Sequence, residues 1–580
     1  MRTAFLSLQP AALPRGFSVL ELHRLFYTRR VTALFACLTA AAIGGYAQPP
    51  RIFSRGVVNA ASYAPAGVPG GGIAQGSIFT IFGANLGPTT GVQATSFPIQ
   101  TSLSNVSIRF VLGSNAVNVL PLYVSAGQIN ALMPSNAPTG LGALQVTANN
   151  QRSNNLPVQV VSSSLGVFSV ASSGMGPGVV QNFVSQTNQP VNSLQVTAKP
   201  GDTITVYGTG LGAISAPDNV APPAGTLPVK TEAWVGGQSA TVLYSGRSPC
   251  CSGLDQIVLT IPQSTVLGCW VPVYFRTAGT TTSNAVTIAV SANGAPCSEP
   301  NNPLAQTFIQ GGTAGTVRLI QSSVREDVAT IASTDVSTDV FNYDLSQLQG
   351  GSFVFAPLFS QPPAGSCTLF QLAGDYWGSN GGFPIPTTAV RSLDAGTFSI
   401  SGATNANLAP ATAGFPGVFL GSYVSSYFPN QLVLNPGAST LTASGGADVH
   451  GFSAAITIPQ PFTWTGREQL SSINRGQPLT LSWIGLPAGQ QMSILGGNVD
   501  LPSNSSAIFY CVAPANASSF TIPTAVLGAM PATRADPRKS KGAIYLVNSS
   551  PGNGTPVSAT GLNAAVALPM YMFGKLVIFQ

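Results

Sequence analysis

The stretch Gly76-Ser77-Ile78-Phe79-Thr80-Ile81-Phe82-Gly83-Ala84-Asn85-Leu86-Gly87 alternates apolar and polar positions with the two-residue period of a β-strand, and helical spacing does not fit it. The pattern returns 125 residues later as Gly201-Asp202-Thr203-Ile204-Thr205-Val206-Tyr207-Gly208-Thr209-Gly210-Leu211-Gly212. Gly, aliphatic, Thr, aliphatic, aromatic, Gly, Leu and Gly fall in the same slots. Phe79 and Ile81 share one face, as do Ile204 and Val206, while Thr80 and Thr205 point the other way. Each predicted strand runs into a Gly-x-x-Leu-Gly turn, in which Gly can take positive φ and Leu can fold back onto a core.

The likeness extends beyond this motif. Leu122-Tyr123 matches Leu243-Tyr244, Gln128-Ile129 before Pro134 matches Gln256-Ile257 before Pro262, and Ser153-Asn154 matches Ser283-Asn284 ahead of a last strand. Each unit supplies several short strands at turn-separated intervals, which predicts two all-β, immunoglobulin-like sandwiches over 56–166 and 167–295. The motif resembles the first strand of TIG/IPT-type immunoglobulin-like domains. Together with Val58-Asn59-Ala60-Ala61-Ser62-Tyr63-Ala64-Pro65 and Tyr123-Val124-Ser125-Ala126-Gly127-Gln128-Ile129-Asn130, it resembles a family of uncharacterised secreted acidobacterial proteins. That resemblance implies the fold and export, and no catalytic residue.

After Cys297-Ser298-Glu299-Pro300 a Pro/Asn/Gly-rich linker is expected over 296–315, then strand-like runs again. They predict two further β-rich units, 316–450 and 451–580, the second a sandwich-like domain. Gly445-Gly446-Ala447-Asp448-Val449-His450-Gly451-Phe452 and Pro461-Phe462-Thr463-Trp464-Thr465 are similar to the C-terminal region of some members of the same family.

Composition agrees with an all-β protein with many turns: 44% hydrophobic, only 7% charged, 63 Gly and 46 Pro in 580 residues. The net charge of +6 is concentrated in residues 1–47, where five arginines face one glutamate. With no basic stripe in the remainder, a nucleic-acid partner is not expected. Arg538-Lys539-Ser540-Lys541 reads as a solvated loop. Arg29-Arg30, the apolar run Val31–Ile43 and the small-x-small site at Gly45-Tyr46-Ala47 make 1–47 a secretory signal peptide, followed by a linker at 48–55. Arg15-Gly16-Phe17-Ser18 looks like a prepilin cleavage site, but His23, Arg24, Arg29 and Arg30 interrupt the apolar helix that should follow. No later run of about 18 apolar residues predicts a membrane-spanning helix.

Six cysteines follow the leader: Cys250, Cys251, Cys269, Cys297, Cys367 and Cys511. An even number in an exported chain predicts disulfides. Bonding neighbours strains the peptide between them, so Cys250 and Cys251 are expected to split between Cys269 and Cys297, with Cys367 joined to Cys511. No C-x-x-C spacing supports zinc, and His450 is the one histidine after the leader, so no metal or other cofactor is expected. A Ser-His-Asp arrangement would need His450 beside Asp448, and no nucleophile motif accompanies them. Gly208-x-Gly210-x-Gly212 lacks nucleotide-loop spacing.

The polar positions that remain are few. Gln128 and Gln256 are expected to tie a loop to strand backbone. Glu326, Asp327, Asp335, Asp339 and Asp344 read as a solvated edge, and Tyr376-Trp377 as a turn that could stack a sugar ring. The leading expectation is a secreted or cell-surface, non-enzymatic β protein that acts by adhesion or by binding a macromolecule or glycan, with a surface protein or glycan as partner. The alternative is a carbohydrate-active hydrolase with its carboxylates in 316–450 and the Ig-like pair as spacer.

Overall fold

The computed structural model describes residues 48–325, 330–343, 360–373, 390–410, 423–424, 434–536, 538–548 and 554–580. The expected signal peptide, 1–47, lies outside them. Among the described residues regular structure is strand, apart from the short helices Pro303–Gln310 and Thr524–Leu527. None of the helices is long and apolar enough to cross a membrane.

The two motif copies form the strands Ile78–Ala84 and Thr203–Thr209, and both close their sandwiches in the same register. Ile81 lies opposite Ile129 and Phe82 opposite Gln128, just as Val206 lies opposite Ile257 and Tyr207 opposite Gln256. On the other edge Ile52 faces Gly83 as Val167 faces Gly208. Phe79, Ile81, Ile204 and Val206 are fully buried, so the apolar rows point inward as the alternation requires. The strands Asn115–Val124 and Gln238–Arg247 each begin in one sheet and end in the other. Their register shifts fall between Pro121 and Tyr123 and between Val242 and Tyr244. The repeated Leu-Tyr pairs thus mark bulges where a strand changes sheets.

The repeated Ser-Asn pairs clamp the first strand of each domain. Asn154 Oδ1 accepts the Ile52 amide at 2.9 Å and its Nδ2 donates back to Ile52 O at 3.2 Å. Asn284 does the same with Val167, at 2.8 and 2.9 Å. Ser153 and Ser283 accept amides across their hairpins, from Val146 and Phe275. This clamp corrects the expected linker at 48–55. The strand Arg51–Asn59 occupies most of it, because Ile52 pairs with Gly83 and belongs to the core.

No spacer separates the sandwiches, and the seam between them is polar and dry. Asn59, 1% exposed, donates to the carbonyls of Ser164 (3.2 Å) and Thr209 (3.1 Å) and accepts the amides of Ala61 (2.8 Å) and Ser62 (3.1 Å). All four hydrogen-bonding capacities of its amide are filled. The Ile78 amide donates to Thr209 Oγ1, which donates to Gly253 O, so the head of the first motif rests on the tail of the second. Beneath them Asp255, fully buried, accepts the amides of Gly210 and Leu211 through Oδ2, both at 2.7 Å. Arg247 donates to Asp255 Oδ1 at 2.6 Å and to Gly212 O at 2.7 Å. Burial pushes the Asp255 carboxyl up to about 6 against the pull of Arg247 and the two amides, which leaves the carboxylate ionised at neutral pH. Gly76 has φ +66°, and a Cβ there would come 2.7 Å from Arg247 Nη2, so the first motif must open on glycine.

The C-terminal half is built on one long sheet that passes through both expected units. Ala314–Arg325 runs parallel to Ala564–Phe579, with Ala314 opposite Ala564 and Arg325 opposite Lys575. Ser366–Ala373 pairs with Ser505–Val512. The expected division near residue 450 does not interrupt this sheet, because Ala314–Arg325 and Ser366–Ala373 each have a partner strand within 505–579. Of the strand-like runs in the sequence of this half, 351–359 and most of 417–424 and 431–434 lie outside the described residues. The expected linker 296–315 contains the helix Pro303–Gln310, capped by Asn302, whose Oδ1 accepts the Ala305 amide at 3.1 Å. Leu304 packs among Val547, Val566 and Met570, and Ala305 lies among Cys269, Trp270 and Cys297, so the segment is wedged rather than loose. The first sandwich meets the long sheet at the Leu501–Asn504 turn, where Arg55 donates to Pro502 O at 2.7 Å. Asp500 anchors that turn, accepting from Ser503 and from both Nε and Nη2 of Arg534.

Two outcomes are expected. Asp255→Asn leaves the Arg247 guanidinium buried without a countercharge and should cost roughly 3–5 kcal/mol in urea unfolding. Arg534 and Ser503 hold the Asp500 carboxyl below its ordinary value of 3.8. Its contribution to stability is present above 3.8 and is lost as pH falls through the lowered value. Urea midpoints taken from about pH 6 down to about pH 2 should therefore fall more steeply for the native chain than for Asp500→Asn.

Candidate functional site

All six cysteines are bonded, and one expectation is corrected. Cys250 is joined to Cys251 instead of the two being split. Cys269 is joined to Cys297, Cα atoms 5.5 Å apart, because pairing of Gly268 with Val290 brings the two strand ends together and leaves the neighbours only each other. Cys367 and Cys511 stand opposite one another in the ladder and are bonded. Among the described residues, Cys269, Cys297 and Glu299 make one group of metal-ligand type. Both sulfurs are spent in the disulfide, and Glu299 Oε1 accepts the Cys269 amide at 3.2 Å.

Among the described residues, the others singled out in the sequence do not converge. Tyr376, Trp377, Glu326, Asp327, Asp344 and Asp375 lie outside the described residues. Asp335 and Asp339 sit on one strand, opposite Ile320 and Thr316. Asp448 Oδ2 accepts the Asp394 amide at 2.9 Å, and the His450 amide donates to Thr560 O. The Gln128 side chain donates to Asn130 Oδ1 at 2.9 Å, tying strand side chains together where loop-to-backbone bonding was expected. In the Gly208–Gly212 turn two amides do bind an anion, and it is the chain's own Asp255. Arg538 and Lys539 lie in an exposed turn near Asp536, at 3.3 and 3.7 Å, and Ser540 begins a strand.

The arrangement best suited to a ligand lies in the stretch Pro461–Gln469. Thr463–Thr465 forms a short strand against Leu479–Ile484, with Trp464 opposite Trp483. Trp483 Nε1 donates to Ala517 O at 2.9 Å, which fixes the orientation of its ring. The chain then turns at Gly466 and lays Arg467 between Trp464 and Phe573, 5.9 and 5.4 Å from the two ring centroids. Arg467 Nε donates to Gly574 O at 3.1 Å, and Nη2 donates to Gly574 O and Ser323 O. Burial lowers the Arg467 guanidinium to about 10, so it stays charged at neutral pH. Phe462 meets Phe573 edge to face at 4.8 Å. Glu468 pairs with Arg325 at 2.9 Å on the surface.

Together Phe462, Trp464, Arg467, Glu468, Gln469 and Phe573 line a cleft of about 390 Å³. Its walls are aromatic, its cation is held by three hydrogen bonds, and a carboxylate and an amide stand at its rim. Phe462 and Trp464 are themselves core residues, 2% and 5% exposed, so the aromatic surface open to a flat apolar ring face is that of the half-buried Phe573, with Arg467, Glu468 and Gln469 beside it to meet hydroxyls. The Phe-Thr-Trp run was visible in the sequence. Arg467 was not singled out, and Phe573 arrives from a strand more than a hundred residues later. A second cleft of about 350 Å³ lies beside Gly67, Gly71 and Gly72. Its one ionisable side chain, Arg55, is engaged with Pro502 O.

No protein-family model matches the chain, and no curated protein does. Among solved structures, it is 12% identical to SGBP-B from a complex xyloglucan utilization locus in Bacteroides uniformis, over 66% of this chain and 86% of that one, with a TM-score of 0.16. It is 11% identical to the Bacteroides ovatus mixed-linkage glucan utilization locus SGBP-B in complex with mixed-linkage heptasaccharide, over 79% and 84%, with a TM-score of 0.13. It is 8% identical to the I9–I11 tandem of titin, over 66% and 92%, with a TM-score of 0.11. With TM-scores of this size, the reading of fold and site rests on the chain's own residues.

The disulfides close loops of very different length, with sequence separations of 1, 28 and 144. Chain entropy then ranks their contributions at about 1, 3.5 and 5 kcal/mol. Replacing each pair by serines should lower the urea midpoint least for Cys250/Cys251 and most for Cys367/Cys511.

Proposed function

We propose that the protein is an exported, non-catalytic binding protein, and that the Trp464–Phe573 cleft receives a segment of glycan. The observation that carries this reading is the juxtaposition of Trp464, Arg467 and Phe573 with the polar rim of Glu468 and Gln469. A sugar presents one apolar face to an aromatic ring and a belt of hydroxyls to amide, carboxylate and guanidinium groups. Glu468 is the one carboxylate among the lining residues and is paired with Arg325, which supports holding a glycan rather than cleaving it. Three disulfides and the leader expected in the sequence support export to an oxidising compartment. The Ig-like pair, with its dry seam, serves as a stiff spacer.

Affinity electrophoresis of the full chain through gels containing soluble neutral or acidic polysaccharides tests the reading. At least one polysaccharide should retard the protein. Phe573→Ala and Gln469→Ala should weaken that retardation roughly tenfold, and Gln469→Ala, a rim change, should leave the melting temperature unchanged. Mobility indifferent to every polysaccharide, or retardation unaltered in both variants, would overturn it.

A further inference from the structure

The Cys250–Cys251 pair stands apart from the other two bridges. It encloses no intervening residue, so it constrains the unfolded chain least, and both cysteines are exposed, whereas the other four are buried. Its place in the fold is specific. The turn it rigidifies begins at Arg247 and returns at Asp255, the two members of the buried ion pair. Within the turn the Leu254 amide donates to Cys251 O, the Ser248 amide to Leu254 O, and Ser252 Oγ to Val220 O at 2.9 Å. Gly253 rests on the first sandwich. Its φ is +78°, and a Cβ there would lie 2.6 Å from Ile78 Cγ1 and Leu132 Cδ1. Gly253 O also receives Thr209 Oγ1 at 2.6 Å, the hydroxyl that accepts the Ile78 amide. One exposed bond between neighbouring residues thus sets the shape of a turn that touches both motif copies.

We propose that Cys250–Cys251 is a redox latch on the seam between the two Ig-like domains, closed when oxidised and loosened when a dithiol reduces it. In the step, one thiolate of the dithiol attacks one sulfur of the pair, and a mixed disulfide forms as the Cys250–Cys251 bond breaks. The second thiol then displaces the protein sulfur. Two electrons and two protons pass to the cysteines, leaving two thiols, and the dithiol leaves as its cyclic disulfide. The freed turn no longer holds the Gly253 carbonyl against Thr209, and the link from Thr209 to Ile78 weakens with it. The ion pair and Asn59 keep the domains joined, so the change is a loosening of the seam and not a separation.

Graded dithiothreitol on the full chain, with alkylation and mass mapping of free thiols beside amide hydrogen exchange, tests this. Cys250 and Cys251 should become alkylated at concentrations that leave the other four cysteines bonded. At that point the amides of Ile78, Ser248 and Leu254 should exchange at least about tenfold faster. The Cys250→Ser/Cys251→Ser variant should show the fast exchange without reductant and no response to it. Exchange at those amides that stays at the oxidised rate in both the reduced native chain and the serine variant would overturn the latch. So would opening of either other disulfide at a lower dithiol concentration.

Discussion

With no solvent beside it, the Asp255 carboxylate takes its hydrogen bonds from Gly210 and Leu211 and its countercharge from Arg247. Each of these groups is costly to bury alone, and together they satisfy one another. The geometry this enforces reaches outward. Arg247 can lie where it does only because Gly76 carries no side chain, and the turn that supplies the two amides also supplies Thr209 to the first sandwich. Asn59 closes the arrangement from the other side with four hydrogen bonds of its own. Reorienting the two domains would break this set as a whole.

The repeat was readable from the chain because period-two alternation and turn glycines are local properties. The same register in both copies follows from them, as Ile81 with Ile129 and Val206 with Ile257 show. The purpose of the other matched residues was less visible. Ser153-Asn154 and Ser283-Asn284 look like ordinary loop polars until the strands they clamp are in place. Residues 48–55 read as a linker because the bulge between Ile52 and Val57 breaks the alternation that would have marked a strand. The cysteine pairing went astray for a related reason: strain disfavours a bridge between neighbours, but pairing of Gly268 with Val290 had already committed Cys269 to Cys297. The cleft was half legible, since Trp464 lies in a recognisable motif whereas Phe573 joins it only through tertiary packing.

The C-terminal half complements the Ig-like pair. Beside its long sheet lies a three-stranded sheet, Thr463–Thr465, Leu479–Ile484 and Ser519–Ile522, in which Trp464 and Trp483 are opposite one another in register. Arg467 ties that smaller sheet to the long one through the carbonyls of Gly574 and Ser323. The guanidinium that faces the cleft is therefore also the fastener that fixes the cleft's width. A ligand held there would meet a surface already in its bound shape and would lose little affinity to rearrangement.

The parallel pairing of Ala314–Arg325 with Ala564–Phe579 carries a consequence for how the molecule is made. A strand that leaves the ribosome early must wait for one of the last segments of the chain before its ladder on that side can form. The sandwiches, closed by nearer neighbours, can mature while the remainder is still being synthesised. Contacts between segments so distant in the chain form slowly, and the waiting strand has an unpaired edge. Under the proposed export this delay would suit passage through a membrane, because the half that pairs last stays pliable longest.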